Sequence, residues 1–406
     1  MRILFVHQNF PGQFMHVAPA LRQRGHEVLA LTAKTNQRPS PVPVVRYAFE
    51  PPTIDSKTPR LATTFAEHAA RAEVVAHAAS ELQSKQNFNP DVVFGHIGWG
   101  EAMFLREVWP EARHLLYAEL FYRPRGLDTG FDPEFQRSDL MHRIWITSRQ
   151  AHLLQAMAAA DKALAPTHWQ ARSFPEPLRQ RIEVNHDGID TERIRPRADA
   201  AFEVPGGHLT LRAGDEVLTF VNRNLEPYRG YHILMRALPK VLAARPNAHV
   251  VLVGGSGVSY GTKPRDGHSW KDTFLDEVKD RIDLDRVHFV GTIPYEKFLA
   301  LIQVSRVHAY LTYPFVLSWS MLEAMSAGAL IVGSRTPPVE EVIQDGVNGR
   351  LVDFFDVDGW SEALIECLAE PGRFAHLRRA GRQTIIDGYD LKTRCLPRLI
   401  DFVEQP

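Results

Sequence analysis

Residues 312–342 read TYPFVLSWSMLEAMSAGALIVGSRTPPVEEV, and the order of features in this stretch decides the fold. An apolar strand over residues 307–311 runs into a loop of small, polar and bulky residues that ends at Ser318 and Ser320. A helix follows with Glu323 in its first turns; Gly328 stops it, and Leu330–Ile331–Val332 forms the next strand. Backbone N–H groups and one carboxylate thereby meet at the carboxyl edge of a parallel sheet. The first N–H groups of a helix lack intrahelical partners and the helix dipole is positive there, so an anion is favoured. A phosphate on the amides around Ser318 to Ser320, with Glu323 reaching ribose hydroxyls, is a layout suited to a nucleotide sugar.

The same alternation extends through all 406 residues, a length that suits two domains. Strand, helix, strand within residues 3–32 is a βαβ unit and implies a parallel sheet. Further strands are expected at 44–45, 91–94, 115–117, 162–165 and 182–185, with long helices over 65–82 and 139–159. A polar stretch containing Pro and Gly, residues 195–215, breaks the periodicity as a linker or hairpin would. Strands at 217–221, 249–253, 287–290, 307–311 and 330–333 then build a second sheet, and a helix over 391–402 comes last. The expected domains are 1–198, 199–388 and a terminal helix, 389–406.

Composition narrows the class. A formal net charge of −1 gives no support for a nucleic-acid partner. A local basic patch toward anionic lipid stays open, so the expected location is cytoplasmic with peripheral contact at the inner membrane face as an option. Two cysteines, Cys367 and Cys395, argue against a disulfide framework or a four-ligand zinc site. The apolar run at the N-terminus is too short for a signal peptide and reads as a first strand. Asp283–Leu284–Asp285 and Asp356–Val357–Asp358 flank helices in exposed polar contexts, where capping or solvation explains them better than a metal.

The chain resembles the retaining glycosyltransferases of the glycogen-synthase-like group, of the GT-B fold. The group's signature is a Glu, seven residues, a second Glu, then Ala-Met, a Gly and a small-residue strand. Residues 323–328, EAMSAG, match its second half, and Glu340–Glu341 match the acidic pair after the next strand. Phe315 stands where the first Glu belongs, as in a branch with a PFVLSWS-type variant. The resemblance implies two doubly wound domains facing across a cleft and a terminal helix that crosses back to the first domain. It also implies sugar transfer from a nucleoside diphosphate to a hydroxyl without a metal or other cofactor.

Carried over by that resemblance, Arg223 and Arg229 of NRNLEPYRG are the cations expected on the diphosphate, and are counted as catalytic because they neutralise the leaving group. Gly12, Gly254, Gly291 and Thr292, with Phe315, Leu317, Ser318, Trp319, Ser320 and Glu323, complete the expected donor contacts. On the other side, His96 in GHIGWGE and Glu119, which takes the place of the group's usual His, are candidates to orient or deprotonate a hydroxyl. The segment from Asn185 to Thr191 reads as a structural turn near the domain junction. Two other readings fit a two-domain chain of this kind. A sugar-nucleotide epimerase of the same fold would need several cleft carboxylates, and a non-catalytic nucleotide-sugar or glycan sensor would bind without turnover.

Overall fold

The computed structural model describes residues 1–54, 58–135, 138–264 and 267–405. The chain divides into two compact units, one of residues 1–188 with the C-terminal segment from Lys392, the other Ile189–Leu391.

The first unit is built on seven strands: β1 (Arg2–Val6), β2 (Glu27–Ala33), β3 (Val44–Tyr47), β4 (Val92–His96), β5 (Arg113–Tyr117), β6 (Lys162–Ala165) and β7 (Ile182–Val184). They pair in parallel in the order β3-β2-β1-β4-β5-β6-β7. Every residue of β4 is buried, as expected of a strand covered on both faces, which is why it reads as a near-continuous apolar run. Chain order reverses between β1 and β4, where Phe5 pairs Phe94 and Val6 pairs Gly95. The loops after these two strands diverge, and such a switch point opens a crevice at the carboxyl edge.

The second unit opens with an antiparallel pair, β8 (Ala201–Glu203) and β9 (Thr210–Arg212). Phe202 lies opposite Leu211, and both enter the core. Six parallel strands follow: β10 (Val217–Asn224), β11 (His249–Gly255), β12 (Val287–Gly291), β13 (Val307–Tyr310), β14 (Leu330–Ser334) and β15 (Arg350–Val352), in the order β12-β11-β10-β13-β14-β15. Their switch point lies between β10 and β13. The parallel sheet in each unit makes it a Rossmann-like domain.

Three boundaries differ from the sequence expectation, each for a packing reason. The units divide at Gly188/Ile189 because Ile189 and Ile194 are buried in the second core. Arg382 also donates to the carbonyls of Thr191 and Ile194. The C-terminal segment joins the first unit from Lys392 onward. Its helix, Leu396–Glu404, sends Leu399, Phe402 and Val403 into the core beneath β1 and β4. The helix expected over 139–159 is two helices, Leu140–Ser148 and Ala151–Ala159. At the break, the Arg149 guanidinium covers the Tyr122 ring at 4.3 Å and Gln150 donates to the Tyr122 carbonyl.

Candidate functional site

In the second unit the loop from β13 to the next helix is folded around Arg229. This side chain is buried, and its Nη1 donates to Thr312 Oγ1 at 2.7 Å and to the Val316 carbonyl at 3.0 Å. Gly230 makes the approach possible: with φ +70°, a Cβ there would sit 2.2 Å from the Cβ of Leu311. Glu226, one turn earlier, accepts from the backbone N–H groups of Ser259, Tyr260 and Gly261. That anchor brings the Tyr260 ring to 5.2 Å from the Arg229 guanidinium and 4.8 Å from the Phe315 ring. Phe315 is buried, edge-on to Tyr228 at 5.1 Å. Where the resemblance expects a carboxylate, an aromatic group covers a cation.

Arg223 stands apart from this arrangement. It is exposed near the end of β10, whereas Arg229 is buried, so the two are not an equivalent pair of open phosphate clamps. The amides expected to take a phosphate are also partly committed. Ser318 N–H donates to Tyr310 Oη at 2.8 Å, and Ser318 Oγ caps the Trp319–Ser326 helix by accepting from Ser320 N–H. Trp319 is exposed, while Val316, Leu317 and Ser318 are half-buried and Ser320 is buried. Glu323 lies one turn after Trp319, half-buried, and its Oε1 accepts from the Tyr295 hydroxyl at 2.6 Å. Burial raises the Glu323 pKa, and the Tyr295 hydrogen bond and the nearby Arg193 charge oppose that rise.

The glycines have local reasons. A Cβ on Gly254 would press on the Asn222 carbonyl and Leu225, and one on Gly255 would lie 2.7 Å from Asn224 Oδ1. Gly291 ends β12 in a turn and Thr292 beside it is exposed. Asp283 and Asp356 cap the turn or helix that follows them, as the sequence suggested.

The first unit assembles a second polar group at its switch point. His7 follows β1, His96 ends β4, and Glu119 follows β5. His7 Nδ1 accepts from Asn9 N–H at 2.9 Å, and His7 Nε2 lies 3.0 Å from Gln13 Oε1. Gln13 Nε2 donates to Glu119 Oε1 at 3.1 Å. The loop can make this closure only with Gly12, because a Cβ there would sit 2.7 Å from His7 Nε2. His96 is fully buried, stacked between Trp99 and Tyr117 at 4.3 and 5.5 Å. Its Nδ1 accepts from Gly98 N–H, and its Nε2 is 3.8 Å from Glu119 Oε2 with no hydrogen-bond partner among the described residues.

Burial holds the His7 pKa at about 4 and the His96 pKa well below the ordinary histidine range. Both imidazoles are therefore neutral, and with Nδ1 accepting a backbone N–H in each, the proton resides on Nε2. Of the two roles expected of His96, an Nε2–H suits orienting a hydroxyl and not deprotonating it. Of the two candidates, Glu119 is the acceptor.

Beside this group lies a carboxyl that the sequence reading did not single out. Glu101 is completely buried, accepts from Gln8 N–H at 3.0 Å and Tyr47 Oη at 2.5 Å, and is pushed up to about 7 by burial. Gln13 and Glu101 were missed because Glu119, Gln8 and Tyr47, which they bond, lie far away in sequence, and His7 gains its role only through Gln13. The available signal was a histidine closing an otherwise apolar first strand. Asn185 and Asp187 are structural, bonding the Cys395 carbonyl and the Tyr117 hydroxyl.

Comparison with known proteins agrees with the topology. Residues 24–194 match the sequence model of the glycosyl transferase family 4 group, and residues 208–384 match that of glycosyl transferases group 1. Among curated relatives, a D-inositol 3-phosphate glycosyltransferase of Nocardia farcinica is 27% identical over 243 residues, covering 59% of this chain and 51% of that protein. A GDP-mannose-dependent alpha-(1-6)-phosphatidylinositol monomannoside mannosyltransferase of Mycolicibacterium smegmatis is 27% identical over 214 residues, covering 51% of this chain and 52% of its own. The chain thus spans about half the length of these relatives. Among solved structures, Anabaena HepE in complex with UDP-glucose superposes with a TM-score of 0.70 at 16% identity over 100% of both chains. Sucrose-phosphate synthase from Thermosynechococcus elongatus gives 0.70 at 17% identity, over 98% of this chain and 97% of that one. The two family models, one over each domain, are both of glycosyltransferases, and the twin parallel sheets resemble the GT-B fold of the solved structures.

Proposed function

We propose that this protein is a retaining glycosyltransferase that moves a sugar from a nucleoside-diphosphate donor to a hydroxyl acceptor without a metal. The observation that carries this reading is the arrangement at the β10/β13 switch point. A buried arginine after β10 is bonded to the loop after β13, and that loop leads into a helix with a capped N-terminus and a half-buried carboxylate. In this reading Glu323 accepts from the ribose hydroxyls. Arg229 and the helix N-terminus offset the charge that develops on the leaving diphosphate, and exposed Arg223 adds long-range attraction. The leaving phosphate takes the proton of the attacking hydroxyl on the same face of the sugar, so catalysis rests on positioning and fixed charges.

On the first unit, the His96 Nε2–H and the Glu119 carboxylate bind and orient a hydroxyl. The relatives' names, an inositol phosphate and a phosphatidylinositol mannoside, make polyols and glycolipid headgroups the first acceptors to try. UDP and GDP sugars are the first donors.

Thermal-shift screening against nucleoside diphosphates and their sugars tests the donor claim, since a ligand that binds only the native state raises its stability. Transfer to a hydroxyl acceptor is then measured with the donor so identified. If Arg229→Ala and Glu323→Ala both leave donor binding and transfer unchanged, the reading fails. Nucleotide binding without hydrolysis or transfer would identify a sensor, and conversion of a free nucleotide sugar without acceptor would identify an epimerase.

A further inference from the structure

Three side chains at the β1/β4 switch point, His7, Gln13 and Glu119, form a directed chain whose polarity is fixed from one end, and His96 lies beside its far end. Asn9 N–H occupies His7 Nδ1, so His7 carries its proton on Nε2 and donates to Gln13 Oε1. With its oxygen so engaged, the Gln13 amide presents its NH2 group to Glu119 Oε1, and that carboxylate is held as an acceptor. The other carboxylate oxygen, Oε2, faces His96 Nε2 across 3.8 Å. This is too long for a direct hydrogen bond. A single oxygen can lie within 2.8 Å or so of both atoms, accepting from one and donating to the other. His96 Nε2 is completely buried and has no hydrogen-bond partner among the described residues, a state that a buried donor does not ordinarily keep.

We propose that His7 and Gln13 are positioning residues that orient Glu119, so that its Oε2 and the His96 Nε2–H clasp one substrate hydroxyl. This rests on the glycosyltransferase reading for the identity of the substrate, but not for the existence of the chain of hydrogen bonds. The hydroxyl belongs either to the transferred sugar or to the acceptor, and it offers the same chemistry in both cases. Gly12 is part of the device, since any side chain there would displace His7.

Two experiments decide it. Long-range ¹H–¹⁵N correlation spectra of the wild-type protein report imidazole tautomers directly. Neutral Nε2–H tautomers are expected at both His7 and His96 at pH 7, and an Nδ1–H tautomer or an imidazolium at either overturns the proposal whether or not turnover is found. In steady-state kinetics, Gln13→Leu and His7→Leu are each expected to lower kcat/KM about 10- to 100-fold, while His7→Gln, whose amide NH2 replaces the Nε2–H, stays within about threefold of wild type. Wild-type kcat/KM in Gln13→Leu, or equal loss in His7→Gln and His7→Leu, overturns it. Donor hydrolysis without acceptor locates the hydroxyl: loss in Gln13→Leu assigns it to the transferred sugar, and retention with loss of transfer assigns it to the acceptor. If wild-type protein turns over no donor, the glycosyltransferase reading fails and the spectra alone judge the positioning chain.

Discussion

The guanidinium carbon of Arg229 lies 5.6 Å from the centre of the Phe315 ring, with Tyr260 on the same cation at 5.2 Å. A carboxylate at position 315 would have placed an ion pair there; the phenyl ring instead covers the cation with π density and excludes water. The charge of Arg229 is kept, and its geometry is set by Thr312 and Val316.

Removing the guanidinium should act on stability and ligand binding together. Arg229→Ala leaves Thr312 Oγ1 and the Val316 carbonyl without their donor, at a cost of roughly 1–3 kcal/mol in urea unfolding. It should also abolish the thermal shift produced by a nucleoside diphosphate. Arg229→Lys keeps the charge but not both hydrogen bonds, and should recover only part of the shift.

Phe315→Ala should be more damaging to stability than to charge. Emptying the space between Tyr228, Tyr260 and Arg229 is expected to cost about 3–5 kcal/mol by equilibrium denaturation. A loss below about 1 kcal/mol would mean that the loop collapses freely around the gap.

The Tyr295 hydroxyl stabilises the charged form of Glu323. Tyr295→Phe removes that bond, so the carboxyl pKa, already raised by burial, rises further. Calorimetric titration with a nucleoside diphosphate should show the variant losing affinity at pH 6 more than at pH 8, because only the ionised carboxylate accepts both ribose hydroxyls. Equal losses at the two values would separate Tyr295 from the titration.

Glu101 makes stability depend on pH. Its folded pKa of about 7 lies above that of the unfolded chain, so between about 4.3 and 7 the native state binds the extra proton. Its contribution is present below that window and is lost as pH rises through 7. His7 and His96 act oppositely, since burial lowers their pKa values and their contribution is lost as pH falls below about 6.5. The difference between wild type and Glu101→Gln isolates the carboxyl. Relative to wild type, the variant should gain on the order of 2–3 kcal/mol in going from pH 4.5 to pH 8. A pH-independent difference in urea midpoints would remove Glu101 from the account.

The terminal helix should behave as part of the first core. Phe402 is buried, with its ring centre 5.6 Å from that of Phe94. Phe402→Ala should cost about 3–5 kcal/mol, and it should lower amide-exchange protection in β1 and β4, where a detachable tail would leave both strands unaffected.

How far the sequence carried the fold is visible in particular elements. The strands around residues 312–342 were legible because parallel strands buried on both faces must be nearly uninterrupted apolar runs. The end of the Glu323 helix was legible because Gly328 tolerates its φ of +84°. The break at Arg149–Gln150 was not, since it is held by Tyr122, a residue outside the helical pattern. Nor was the division at Gly188/Ile189, which follows from where Ile189 and Ile194 are buried rather than from any local composition.

The sequence by itself determined two domains of alternating strands and helices, the placement of Glu323 on the first turns of a helix, and the absence of a carboxylate at 315. Those are matters of local order and of periodicity, which neighbouring residues dictate. Only the tertiary structure decided that Arg229 is buried and Arg223 exposed, that His96 is a donor, and that His7 reaches Glu119 through Gln13. Protonation state and hydrogen-bond direction depend on burial and on partners up to about a hundred residues away, brought together only when parallel strands align their carboxyl ends.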